Sequence, residues 1–171
     1  MSDKVLNDLR KGNEVFSNDP VYGMECRELS KNGQQPRALV LTCSDSRVVP
    51  EVIFQQPRGS MLVIRNAGAR VTGDVIKDVQ FFINEFKTIE VVIIMGHTQC
   101  GYYSHNVEHG IDIEPVWLEC LRMKLKKEQD IIDHVALKKV GDAAQIISEF
   151  IPHHITVRGA FYHMDTGVVE L

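Results

Sequence analysis

The sequence predicts an α/β domain: a mostly parallel central β-sheet flanked by helices, with a C-terminal hairpin. Three observations predict it. The runs Ala38–Thr42, Met61–Arg65 and Ile89–Met95 are apolar without polar alternation, as expected of parallel strands buried on both faces. The segments between and after the later runs carry apolar residues at helical spacing, so strands alternate with helices and right-handed crossovers follow. Near the end, Asp165-Thr166-Gly167 supplies turn chemistry between the strand-like segments Ile155–Tyr162 and Val168–Glu170.

Each element has a local cause. Lys4–Phe16 reads as a helix capped by Ser2 or Asp3, with only Val5, Leu9 and Phe16 along one side. So thin a stripe on a terminal helix predicts packing against a partner subunit. A second short helix near Met24–Asn32 stops at Gly33, and Gln34–Pro36 lead into the first strand. Asp74–Phe86 places Val75, Val79, Phe82, Ile83 and Phe86 on a helical face, with Thr72 or Gly73 near its cap. An irregular stretch is expected after His97. A helix is expected over Glu114–Glu128, with Pro115 in its first turn where the missing amide hydrogen costs little. A further helix over Ile131–Phe150 presents Ile132, Val135, Val140, Ile147 and Phe150, with Gly141 as a bend and Pro152 as its stop. No internal repeat or composition break divides residues 1–171, so one domain is expected.

Composition excludes several function classes. The 171 residues are 44% hydrophobic and 25% charged, which excludes disorder for most of the chain. Nineteen Lys and Arg against 23 Asp and Glu give a net charge of −4, without the basic stripe that nucleic acid requires. The apolar runs fall far short of the roughly 20 residues that span a bilayer. The N-terminus lacks the apolar core of a secretory signal and the Arg-rich character of a transit peptide. A cytoplasmic protein with four reduced cysteines, Cys26, Cys43, Cys100 and Cys120, is therefore expected.

Two polar clusters follow buried strands. The first strand runs into Cys43-Ser-Asp45-Ser-Arg47, and the third into Gly96-His97-Thr-Gln-Cys100-Gly101. In open parallel sheets, ligands collect beyond the strands' carboxyl ends where the winding reverses. If the two strands are neighbours, Cys43, His97 and Cys100 meet there. Two thiolates and an imidazole suit Zn²⁺. Three marked ligands rather than four point to a catalytic ion with one open position. Asp45 offers a fourth ligand in a closed state, or a hydrogen-bond acceptor for bound water when Arg47 holds it in a bidentate pair. Cys26 and Cys120 read as small core fillers. His105, His109, His134, His153, His154 and His163 read as surface or packing residues. His105 and His109 are helically spaced but have no third ligand beside them.

The pattern Cys43-x-Asp45-x-Arg47 with His97-x-x-Cys100 resembles the signature of the β-class carbonic anhydrases. The similarity extends through Val63–Gly68 and to Gly159, Tyr162, Thr166 and Gly167. It implies Cys43, His97 and Cys100 as zinc ligands and Asp45 and Arg47 as the catalytic dyad. It also implies Gln34, nine residues before Cys43, as a substrate-binding residue. The activity implied is zinc-dependent, reversible hydration of CO₂ to bicarbonate by hydroxide drawn from bound water, in a homodimer or homotetramer. Gln99 stands where the family pattern has a small or acidic residue, and Tyr102-Tyr103 where small residues are usual; the tyrosines either narrow the pocket or pack in the core with their hydroxyls at the surface.

Three other readings compete. The same scaffold serves a hydrolase of carbonyl sulfide or carbon disulfide, both linear triatomics attacked at carbon. A zinc-holding, non-catalytic binding or regulatory protein would keep the metal with the tyrosines closing the cleft. A thiol phosphatase using Cys43 and Arg47 fits less well: Asp45 would repel phosphate, and His97-x-x-Cys100 would have no role.

Overall fold

The computed structural model describes residues 2–112 and 114–171. It divides into two compact units, residues 1–35 and 36–171. The first unit holds helices α1 (Ser2–Asn18) and α2 (Pro20–Asn32). Both Ser2 and Asp3 lie inside α1, so the residue ahead of its first turn, Met1, is outside the described residues. The helix α2 starts four residues before the expected Met24. Asp19 Oδ1 accepts the Val21 N–H at 2.8 Å, and Pro20 occupies the first helical position. An acidic cap followed by Pro is a start signal that the thin apolar pattern obscured.

The second unit is a five-stranded sheet with flanking helices. Its elements are β1 (Ala38–Cys43), α3 (Pro50–Ile53), β2 (Met61–Asn66), α4 (Gly73–Glu85), β3 (Val91–His97), α5 (Gly101–His109), α6 (Glu114–Arg122), α7 (Glu128–Phe150), β4 (Thr156–Tyr162) and β5 (Val169–Glu170). The strand order is β2-β1-β3-β4-β5; all pairs are parallel except β4 with β5. The winding reverses between β1 and β3, which places their carboxyl ends at the crevice where such sheets bind ligands.

The central strands are buried on both faces, and alternate residues enter different clusters. Leu39 and Leu41 of β1 and Val92 and Ile94 of β3 pack with Val75, Val79 and Ile83 of α4 and Val140, Ala143 and Ile147 of α7. Val40 and Met95, from the alternate positions, form a smaller cluster with Val48 and Ala160. Each such Leu or Ile, removed from water, stabilises the fold by about 1.5–3 kcal/mol. Thr72 caps α4, its hydroxyl accepting the Val75 N–H.

The structure corrects three boundaries. The stretch after His97 is not irregular: α5 occupies it, anchored by buried Tyr103 and Asn106 and stopped by Gly110 in the left-handed conformation at φ 64°. Its polar sequence hid it, since only those two positions are buried. The next helix ends at Arg122 rather than Glu128, where the apolar spacing lapses into the lysines Lys124, Lys126 and Lys127. The long helix α7 begins at Glu128 rather than Ile131, with Glu128 and Asp130 in a first turn that favours negative charge.

Candidate metal centre

Cys43 is the last residue of β1 and His97 the last of β3, so neighbouring strands deliver both side chains to one edge. Cys100 follows a tight turn and sits at the N-terminal end of α5. All three residues are buried, and one ligand atom from each lies within 4.8 Å of the others. The two sulfurs are 3.9 Å apart. A tetrahedral ion with bonds of about 2.3 Å to each sulfur would set them about 3.8 Å apart. His97 Nδ1 lies 2.8 Å from the Thr98 carbonyl oxygen, so that nitrogen carries the proton and donates it. Its Nε2 is then a bare lone pair, buried without a hydrogen-bond partner. An unmatched buried acceptor costs about 1–3 kcal/mol; a cation relieves it. Donor spacing, donor chemistry and this orphaned nitrogen all fit a divalent metal.

The sulfurs' protonation agrees. The Cys43 thiol is pulled down, chiefly by a hydrogen bond from Cys100; burial opposes this, and the Gly68 and Asp45 amides assist it. Cys100 is pushed up by the Cys43 sulfur and by burial, with the first-turn amides of α5 at Tyr103 and Tyr102 opposing. Two sulfurs this close hold one proton between them until a dication makes both thiolates favourable.

Beside this group stands the Asp45–Arg47 pair. Arg47 Nε and Nη2 donate to Asp45 Oδ1 and Oδ2 at 3.0 and 2.8 Å, and the Arg47 backbone N–H also donates to Oδ1 at 3.0 Å. These hydrogen bonds hold the Asp45 carboxyl near 2 against its burial. Three of its four or so lone-pair directions are filled, leaving one to accept a further hydrogen. Asp45 pairs with Arg47 here, and the metal-ligating group among the described residues comprises Cys43, His97 and Cys100.

Several supporting residues carried no sequence signal of their role. Arg65 ties down the loop after β1, donating to the carbonyls of Cys43 (3.2 Å), Asp45 (2.6 Å) and Val48 (2.7 Å). The Gly68 N–H donates to Cys43 Sγ at 3.4 Å. Gly68 has φ 75°, and a Cβ there would overlap the Tyr102 ring. Tyr103 donates its hydroxyl hydrogen to the Gly68 carbonyl at 2.9 Å, and Arg70 lies over the Tyr102 ring. The two tyrosines therefore pack against the Gly68 turn, with the Tyr103 hydroxyl buried rather than at the surface as the packing reading expected. Arg65 and Gly68 fell inside the Val63–Gly68 resemblance, but their contacts are long-range and invisible to spacing. Gln34 is exposed in the first unit. None of the six other histidines joins the metal-ligating group among the described residues. Cys120 is buried in the core cluster, as a filler should be.

A family model described as carbonic anhydrase matches residues 38–169. The chain belongs to the β-class carbonic anhydrase family. The carbonic anhydrase of Mycolicibacterium smegmatis is 33% identical over 97 residues, covering 54% of this chain and 47% of that protein. The carbon disulfide hydrolase of Acidithiobacillus thiooxidans is 30% identical over 152 residues, covering 77% and 74%. The crystal structure of a β-carbonic anhydrase from Aspergillus fumigatus superimposes with a TM-score of 0.78 at 19% identity, covering 98% of this chain and 89% of that one. The chain spans about half the length of the mycobacterial relatives it matches. Two of the three residues that could hold a metal ion stand at the ends of adjacent parallel strands, and no helix among the described residues is long and apolar enough to cross a membrane.

Proposed function

We propose that this β-class carbonic anhydrase relative catalyses the reversible, zinc-dependent hydration of CO₂ to bicarbonate. The buried Cys43–His97–Cys100 group beside an ionised Asp45 carries the reading. Cys43, His97 and Cys100 would hold the zinc ion, which when bound would lower the pKa of water from about 15.7 toward neutrality. Arg47 keeps Asp45 ionised and fixed. The free lone pair of Asp45 accepts a hydrogen from the attacking water and turns that oxygen's own lone pair toward the substrate carbon. Thr98, through its carbonyl, keeps the proton on His97 Nδ1 so that Nε2 stays available as a ligand. For Gln34 the proposal rests on the resemblance alone: its amide donates a hydrogen bond to the developing carboxylate oxygens, as in an oxyanion site.

The assembly we propose is a homodimer or homotetramer, with α1 on a partner subunit and residues 1–171 as one functional domain in the cytoplasm. Val5, Leu9 and Val15 of α1 are 57%, 66% and 73% exposed, apolar surface that a partner subunit would cover. None of the four cysteines is in a disulfide, as a reducing compartment requires.

The test is stopped-flow CO₂ hydration over a pH series with zinc quantified in the same samples. Cys43→Ser and His97→Ala should lose zinc. Asp45→Ala should keep most of it while kcat falls about 10²–10⁴-fold. Full activity in Asp45→Ala would remove the dyad from the mechanism. A second reading, hydrolysis of carbon disulfide or carbonyl sulfide by the same groups, draws support from the Acidithiobacillus relative. Side-by-side assays separate the two, and a large preference for the sulfur substrate decides for the second.

A further inference from the structure

Between the ligands His97 and Cys100 the chain turns through Gln99, whose φ of 58° lies in the left-handed region. A residue with a side chain resists that conformation, so something must hold it. Both sides of the Gln99 residue are tied. Asp133 Oδ1, on α7, accepts the Gln99 N–H at 2.9 Å. The Gln99 carbonyl accepts Arg47 Nη2 at 3.3 Å. Gln129, one turn earlier on α7, donates its side-chain amide to the same Asp133 oxygen at 2.8 Å and steadies it. Hydrogen bonds thus run without a break from Gln129 through Asp133, Gln99 and Arg47 to Asp45.

We infer that Asp133 is a positioning residue for the metal turn and the dyad, acting through Gln99. It is not in the metal-ligating group. Its carboxylate selects the left-handed turn that aims His97 and Cys100 at one ion. The same turn directs the Gln99 carbonyl at Arg47, so one acceptor on α7 fixes both the ligand pair and the guanidinium that orients Asp45.

This inference rests on the zinc-centre reading above, and its test separates the two. Zinc-loaded full-length wild type, Asp133→Ala, Asp133→Asn and the double variant Asp133→Ala with Gln99→Gly are compared. The readouts are zinc release to excess chromogenic chelator, stopped-flow CO₂ hydration and thermal unfolding. Asp133→Ala should release zinc about tenfold faster, with kcat lowered by a similar factor and KM nearly unchanged. Asp133→Asn keeps a carbonyl acceptor and should stay within about threefold of wild type. Adding Gln99→Gly, which adopts the turn without steric cost, should restore most of the loss; a general weakening of α7 would not be repaired there. Wild-type zinc release from Asp133→Ala, or failure of Gln99→Gly to restore it, overturns the inference. Should Asp133→Ala not fold, Asp133→Glu displaces the acceptor by one methylene and should speed release severalfold; wild-type release from it overturns the inference equally. A wild-type protein that holds zinc but hydrates no CO₂ refutes the proposed activity, while the release rates still decide the role of Asp133.

Discussion

Replacing Gly96 by alanine should damage the fold and the metal centre together, and Val140→Ala should repair part of both. Gly96 lies in β3 immediately before His97, facing α7. A Cβ at this position would stand 2.6 Å from Val140 Cγ2 and 3.3 Å from two ring carbons of Phe161. Carbon contacts settle near 3.5–4.0 Å, so Val140 must retreat by about 1 Å or the strand must bow. Retreat is hard. Val140 is buried, is β-branched with one preferred rotamer in a helix, and also sits over Gly159, where a Cβ would come within 3.1 Å of its other methyl. Gly159 pairs with Ile94, two residues from Gly96, so both glycines open the same face of the sheet to Val140. Overpacking should cost about 1–3 kcal/mol. Val140→Ala alone removes two methyl groups from a packed site, again about 1–3 kcal/mol. In the double variant the new methyl enters the vacated space, and its cost should fall about 1–3 kcal/mol short of the singles' sum. Urea unfolding at unchanged m measures this. Zinc affinity should follow, weakened about tenfold in Gly96→Ala and recovered in the pair. Destabilisations that add to within about 0.5 kcal/mol would refute the notch as the reason for glycine.

Three further outcomes follow from the same geometry. Asp45 is held near 2 in the folded state, below its ordinary value of 3.8. A depressed carboxyl stabilises fully above the unfolded value and loses that contribution as pH falls through the folded one. The zinc-free Asp45→Asn variant should therefore trail wild type by a constant margin above about pH 5, with the margin shrinking as pH falls and closing only below about pH 2; urea unfolding at several pH values checks the convergence. Arg47→Ala should lower turnover while slowing zinc release, because Asp45 is freed to become a fourth ligand; metal-edge X-ray absorption should show an added oxygen donor. Thr72→Ala removes the α4 cap and should cost about 1 kcal/mol, read as a lower Tm with zinc binding unchanged.

The strands and the meeting of Cys43, His97 and Cys100 were legible because local signals agreed with the global arrangement. Val91–Ile94 is β-branched throughout, and Cys43 and His97 each close an apolar run. Once those runs are parallel neighbours, their last side chains must meet. What stayed hidden depends on contacts between distant residues. Nothing near Asp133 marks it as the acceptor for a turn 34 positions earlier, because one Asp on a polar helical face looks like any other. Arg65 reads as an ordinary strand residue until its guanidinium is seen collecting three carbonyls from the loop after β1. Helix α5 was missed for another reason: with so few buried positions it has no apolar stripe to read, and tertiary anchoring by Tyr103 and Asn106 decides its conformation.

Charge balance would keep Asp45 on Arg47 when a dication is held. Two thiolates would neutralise the ion while Asp45 and Arg47 neutralise each other, so the buried centre would carry no uncompensated charge in this arrangement. Moving Asp45 onto the ion would leave a net negative centre beside an unpaired guanidinium and break three charge-assisted hydrogen bonds. Arg47 is 52% exposed on its side chain, so water would soften its loss of a partner. Asp45, at 17%, has no such recourse and must keep either the guanidinium or the metal. The backbone tilts the choice: Oδ1 also accepts the Arg47 N–H, a bond the loop geometry fixes, and the Gln99 carbonyl holds the guanidinium from the other side. In the proposed mechanism the pair would therefore resist closure of a metal-loaded site while leaving one carboxylate lone pair for the hydrogen of an attacking water. Removing Arg47 reverses both effects at once, and for that reason its loss should lower turnover and strengthen metal retention in the same variant.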